Sequence, residues 1–313
     1  MPILVSGSLV YDNIMNFPDS FKNHIMPDNI HILNVCFVVD RLERSWGGTA
    51  GNIAYTMKLL GAEPLVVSAV GADGSDYLDY LKKNGIDAAN IKIDKKQSTA
   101  SAYITTDADD NQITAFYNGP LANVDSLEAV KEKFELAIVS PTQKEAMQKH
   151  MHECATFGAK AMFDPGQQIT AFTGEELQKM LSQAHFVIGN DYEIKLLEER
   201  TGWDANEILK NAKVLIVTLG ERGSIIKTAE GEEVKVGSCP PLSFDDPTGA
   251  GDAYRAGFLV GFERGYNWKM CGQMGAVAAS YAIETFGTQA HNFTKKEFCE
   301  RYKKAFGEEL KLE

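Results

Sequence analysis

Apolar residues follow two rhythms along this chain. Residues 3–6, 65–70, 136–139, 161–163, 186–188 and 214–218 are short apolar runs with little polar alternation. Such runs read as strands buried on both faces. Between them, residues 76–83, 144–156, 175–183 and 192–200 repeat apolar positions every three or four residues, the spacing of amphipathic helices. A further helix shows Ile53, Ala54, Met57 and Leu60 on one face, with Gly61 as its C-terminal stop. Strands alternating with helices predict an α/β fold whose largely parallel sheet is covered on both sides. No repeat, linker or low-complexity tract divides residues 1–313, so one domain is expected.

Two regions break the rhythm. Residues 13–44 lack the helix that should follow a first strand, and residues 30–42, rich in Val, Ile and Phe, predict an extended ribbon. Residues 100–106 and 112–117 are extended again, joined by the turn-forming Asp107-Ala108-Asp109-Asp110-Asn111. The two β-rich pieces, 13–45 and 99–119, are expected to meet as one small sheet; an extension of the main sheet is the alternative.

Composition narrows the function classes. The chain is 44% hydrophobic and 24% charged, as a globular protein with a large core is. A net charge of −12 argues against a nucleic-acid or anionic membrane partner, but not against a small neutral one. The five cysteines are scattered, with no C-x-x-C pair, which fits reduced thiols and a cytoplasmic setting. There is no signal-like start and no transmembrane run of about 18 apolar residues. The six histidines form no ligand cluster.

Chemistry concentrates at residues 246–259, D-P-T-G-A-G-D-A-Y-R-A-G-F-L. Pro247 fixes one backbone angle, while Gly249 and Gly251 permit a tight path. Ala253, Ala256, Phe258, Leu259 and Phe262 then give a helix an apolar face. A glycine turn opening a helix presents N–H groups to an anion. Asp252 in that turn is either a helix cap or a base that takes a proton from a hydroxyl during phosphoryl transfer. Upstream, Gly47-Gly48-Thr49-Ala50-Gly51-Asn52 is a second glycine-rich helix start, where Asn52 is a cap or a sugar ligand offering donor and acceptor.

Together these two stretches resemble the two signatures of the ribokinase-like, or PfkB-type, carbohydrate and nucleoside kinases, and the resemblance covers nearly the whole chain. It implies a three-layer α/β/α fold with a small β-sheet lid. Asp252 would be the catalytic base, with Gly249, Ala250 and Gly251 as the anion hole. Asp12 would grip sugar hydroxyls beside Ser8, Gly48 and Asn52, and Phe116 in the lid offers an aromatic surface or belongs to the lid core. Asn190-Asp191-Tyr192-Glu193 resembles the family's N-x-x-E motif for Mg²⁺ and phosphate, reached through water, with a plain helix start as the alternative. Thr218, Gly220 and Gly223 match the ATP loop. Gly275, Ala276, Ala279 and Ala282 form a small-residue stripe suited to a purine or to close helix packing. Gly287-Thr288-Gln289, with Asp246 and Thr248, would frame a K⁺ site. Asp164-Pro165-Gly166 reads as a turn near the cleft.

The resemblance implies γ-phosphoryl transfer from Mg·ATP to a primary alcohol. The segments 111–116, 246–257 and 284–291 look most like bacterial adenosine kinases, so the 5′-hydroxyl of adenosine is the expected acceptor and AMP the product. A ribokinase- or fructokinase-like sugar kinase is the alternative, and a non-catalytic nucleoside- or sugar-binding regulator is another. Tyr117-Asn118-Gly119-Pro120 departs from the expected proline–glycine–alanine turn. A monomer and a homodimer fit equally.

Overall fold

The computed structural model describes residues 1–25, 34–109 and 111–312. In chain order the first half contains β1 (Ile3–Ser6), β2 (Val10–Asn16), β3 (Arg41–Gly47), α1 (Thr49–Leu59), β4 (Pro64–Gly71), α2 (Ser75–Lys83), β5 (Ile91–Asp94), β6 (Ser101–Thr106), β7 (Gln112–Tyr117) and β8 (Leu136–Val139). The second half contains α3 (Lys144–Phe157), β9 (Lys160–Phe163), α4 (Gly174–Gln183), β10 (Phe186–Asn190), α5 (Asp191–Thr201), α6 (Ala205–Asn211), β11 (Val214–Thr218), β12 (Ser224–Thr228), β13 (Glu233–Val236), α7 (Ala250–Glu263), α8 (Trp268–Ile283) and α9 (Lys295–Phe306).

Nine strands form the main sheet in the order β13-β12-β11-β10-β9-β8-β1-β4-β5. It is parallel from β11 through β5; β12 and β13 run antiparallel at one edge. Successive strand residues point to opposite faces. Ile3 and Val5 therefore join Phe186, Ile188, Val214 and Ile216 in one core with α1, α7 and α8. Leu4, Val187 and Leu215 enter a second core with α3, α4, α5 and α6. Two cores flanking one sheet make a three-layer α/β/α fold.

The second sheet has the order β3-β2-β6-β7. The pairs β2–β3 and β6–β7 are antiparallel and β2–β6 is parallel. The two β-rich regions thus meet as one separate small sheet. The expected ribbon at 30–42 differs in position: regular pairing begins at Arg41, residues 34–39 are irregular, and residues 30–33 lie outside the described residues. Pairing with β2 decides this, because Arg41 lies opposite Asn16 at the strand's end. The antiparallel β12–β13 edge, β5, α6 and α9 have no counterpart in the periodicity reading. Among the described residues no helix is long and apolar enough to cross a membrane.

Candidate active site

Two glycine-led helix starts meet here. Gly249, at φ +83°, precedes α7, and no side chain caps that helix. A Cβ on Gly249 would press within 3.1 Å of Thr288. The N–H groups of Gly251 and Asp252 donate to no described residue, whereas the Ala250 N–H donates to the Pro247 carbonyl at 3.3 Å. Gly48, at φ +89°, precedes α1, and a Cβ there would lie 2.5 Å from the Ser8 carbonyl oxygen. Ser8 is buried, and its Oγ accepts the Thr49 N–H at 3.2 Å, so its partner here is α1.

Asn52 joins the two helices. Its Nδ2 donates to Asp252 Oδ2 at 2.8 Å. Its Oδ1 accepts from Thr288 Oγ1 at 2.8 Å and from Gln289 Nε2 at 3.0 Å. Two donors on the oxygen fix the amide's orientation and keep the NH₂ group aimed at the carboxylate. Gln289 Nε2 also donates to Tyr77 Oη at 2.8 Å, and Tyr77 Oη to the Gly47 carbonyl at 2.5 Å. Gly51 leaves room for this chain: a Cβ there would stand 2.2 Å from Tyr77 Oη. Tyr77, Thr288 and Gln289 carry no signal in the sequence that marks them as supports for Asp252; tertiary contact alone reveals the role.

Burial raises the Asp252 pKa to about 6; Asp164 and Glu193 add to the rise, while Arg255 and the Asn52 hydrogen bond oppose it. Asp12 reaches about 6 too, first by burial and then by repulsion from Asp246 and Asp252. Asp12 lies inside β2 rather than in the loop after β1, and the missing side chain of Gly47 makes its room, since a Cβ there would fall 2.0 Å from Asp12 Oδ2. Three carboxylates thus gather at one end of the site, a poor place for more negative charge unless a cation accompanies it.

Beneath α7, Arg255 Nη2 donates to Asp164 Oδ1 at 2.7 Å and its Nε lies 2.5 Å from Oδ2. This corrects the reading of Asp164 as a turn residue. It is 1% exposed and anchors α7 to the end of β9, a contact between positions too distant in sequence for local pattern to reveal.

A cleft of about 590 Å³ lies between the small sheet and the D-P-T turn, with Asp12, Ile14, Asn16, Thr248, Phe286 and Thr288 among its walls. Phe116 shares a face with Asp12 through the ladder Asp12–Ala102–Phe116, whereas Tyr117 points to the other face. Phe116 is 53% exposed, so it is not packed into a core.

On the other side of α7, Asn190 and Glu193 form a reciprocal capping box: Asn190 Oδ1 accepts the Glu193 N–H and Glu193 Oε2 accepts the Asn190 N–H, each at 2.8 Å. Thr218 ends β11, its Oγ1 3.5 Å from the Gly189 carbonyl. Gly220 and Gly223 both take positive φ, and a Cβ on Gly223 would fall 2.0 Å from the Val236 carbonyl. The small-residue stripe divides. Gly275 packs against Tyr254, Ala276 and Ala282 are buried, and Ala279 is partly open. Asp246 accepts the Thr248 N–H on Oδ1 at 2.9 Å and the Gly287 N–H on Oδ2 at 3.2 Å, tying the D-P-T turn to the 287–289 loop.

Comparison with known proteins agrees with this architecture. A model of the pfkB family carbohydrate kinases matches residues 10–295. The chain is 36% identical to a Burkholderia thailandensis nucleoside kinase solved in complex with inosine, with a TM-score of 0.88 over 98% of this chain and 99% of that one. It is 31% identical to a nucleoside kinase of Methanocaldococcus jannaschii over 87% of this chain and 90% of that protein. A fructokinase-2 of Oryza sativa is 27% identical over 68% of this chain and 70% of its own.

Proposed function

The chain belongs to the pfkB family of carbohydrate kinases and has the ribokinase-like fold, and from that premise we propose that it is an ATP-dependent nucleoside kinase acting on a 5′-hydroxyl, with adenosine as acceptor and AMP as product. The observation that carries this reading is the 2.8 Å hydrogen bond from Asn52 to Asp252, which sets a carboxylate of pKa about 6 beside open helix N–H groups. A base with that pKa is ionised at neutral pH, yet still holds a proton better than an ordinary aspartate.

In the proposed mechanism Asp12, Gly48 and Asn52 orient the sugar, so that its primary hydroxyl donates to the Asp252 oxygen that Asn52 leaves free. As the hydroxyl oxygen bonds to the γ-phosphorus, its proton passes to Asp252 and the bond to the β-phosphate oxygen breaks, releasing ADP. Backbone N–H groups around Gly249, Ala250 and Gly251 hold the charge developing on the transferred group. Thr218, Gly220, Gly223 and the open side of Ala279 lie along the nucleotide. The small sheet acts as a lid that limits water at the reacting atoms, and Phe116 gives the substrate an aromatic face.

Glu193 suits Mg²⁺ held through water, because its carboxylate stands close enough to Asp252, Asp164 and Arg255 to act on their charges. When bound, Mg²⁺ neutralises charge on the triphosphate. For K⁺ the side chains give no such fit. Both Asp246 oxygens already accept backbone N–H groups, and Thr248 is exposed.

The test is ADP release from Mg·ATP with adenosine, inosine, ribose and fructose. Asp252→Asn keeps the shape and removes the base, so kcat should fall by roughly 10²–10⁴-fold; turnover close to wild type would refute the role. The fructokinase relative supports a sugar as the second candidate, for which ribose or fructose would give ADP and adenosine would not.

A further inference from the structure

We propose that Arg255 is a positioning residue for phosphoryl transfer, because its guanidinium lends the first turn of α7 a fixed positive charge from behind. Asp164 clamps it there and keeps it from closing on Asp252. This rests on the kinase reading, with no commitment to one acceptor, and gives the buried pair a use beyond anchoring a helix.

Side chains on a helix lean toward its N-terminus, over the residue four places earlier. For Arg255 that residue is Gly251, the last glycine of the G-A-G turn. A Cβ on Gly251 would lie 2.8 Å from Arg255 Nη1, so this glycine is what lets the guanidinium lie against the turn. The fork is divided. Nε and Nη2 face the Asp164 oxygens, while Nη1, toward Gly251, donates to no described residue. Arg255 is 7% exposed, so its charge acts through protein, where screening is weak. The same turn carries the open N–H groups of Gly251 and Asp252. A cation behind those donors adds to the positive end of the helix and favours an anion in front of them.

The other charges around the turn are negative. Asp164 at the end of β9 and Glu193 on α5 act on Asp252, and Asp252 in turn acts on Asp12 from β2. Asp246, in the D-P-T turn, acts on Asp12. Helix α1 brings Asn52; its one charged residue, Lys58, pairs with Glu63. Helix α8 likewise has one charged residue, Lys269, which pairs with Glu308. Burial works against the charge on Arg255, but Asp164, Asp252 and Glu193 together hold its pKa above the ordinary arginine value. Of the charges that act on Asp252, that of Arg255 is the strongest, and it is the one that favours an ionised base.

A glutamine at 255 puts its Nε2 where the arginine Nε stands. Arg255→Gln/Asp164→Asn therefore removes both charges, leaves neither buried alone and still lets the two side chains bond. Thermal melts should place this variant within a few degrees of wild type. Kinetics use whichever acceptor wild type turns over best among adenosine, inosine, ribose and fructose. In the double variant kcat should fall about tenfold or more, with KM for the acceptor within about twofold, because the pair lies behind the turn. The acid limb of its kcat–pH profile should move up by about one unit, since the Arg255 charge lost outweighs the Asp164 charge lost. Arg255→Lys keeps a cation there without the fork, and should keep the wild-type limb and most of kcat. A pair that only anchors α7 gives the reverse: the double variant keeps kcat and limb, and Arg255→Lys, its two-point grip lost, suffers at every pH. Either half of that result overturns the inference while the kinase reading stands; if the double variant does not fold, Arg255→Lys decides alone. A wild type that releases no ADP with any of the four acceptors removes the kinase reading itself and the inference with it.

Discussion

At the scale of single residues, the site is a problem in placing carboxylates. Asp12 and Asp252 each titrate near 6 in the fold, against an ordinary value of 3.8. Activity should therefore fall as pH drops through about 6 and Asp252 gains its proton, giving the acid limb of a kcat–pH profile a midpoint there. The same shifts act on stability with the opposite sense. Their folded pKa values are raised, so folding takes up protons between about pH 4 and 6, and this contribution is full below pH 4 and lost as pH rises through 6. Asp12→Asn removes one such group; it should raise Tm at pH 7.5 while lowering kcat/KM, a trade seen by pairing thermal melts with kinetics. Locally, the sequence left Asp252 and Asn52 open between cap and chemistry, because one side chain serves either use. Asn190 and Glu193 show the capping geometry in full, whereas Asn52 and Asp252 bond to each other across 200 positions.

At the scale of elements, the helices that begin on reciprocal capping boxes contrast with the helix that carries Asp252. Helices α4, α5 and α9 start with reciprocal capping boxes that satisfy their own N–H groups. Helix α7 starts on a left-handed glycine with no such box, and although the Ala250 N–H donates to the Pro247 carbonyl, those of Gly251 and Asp252 remain for a ligand. The G-G-T-A-G and G-A-G motifs announced both glycine-led starts; the neighbours that make those glycines necessary were not legible. Gly51 is the clearest case, because it faces Tyr77 and Gln289, which arrive from α2 and from the loop before α9. Gly51→Ala drives a methyl into that hydrogen bond. It should lower stability by roughly 1–3 kcal/mol and reduce kcat as Asn52 loses its orientation. Urea unfolding with a lower midpoint and an unchanged m-value, alongside activity, checks both parts.

At the scale of the whole molecule, a three-layer body and a four-stranded sheet enclose one cleft, with residues from β2, β3, β6, β7 and the loops at 245–248 and 286–288 around it. A ligand that spans it ties the two sheets together. Adenosine at about 100 times its Kd should add roughly 2.7 kcal/mol of stability. Hydrogen exchange should slow in β7, the exposed edge strand, and protection confined to the main sheet would count against a substrate that reaches the small one. The layered fold and the two glycine motifs were legible because unbroken apolar runs, period-3.6 burial and backbone freedom are properties of neighbouring residues. The sequence by itself determined which elements form and which turns lie open. The tertiary structure alone decided what stands around Asp252, because Asn52, Gln289, Tyr77 and Asp164 reach its surroundings from helices, loops and a strand end that become neighbours only when the sheet is assembled.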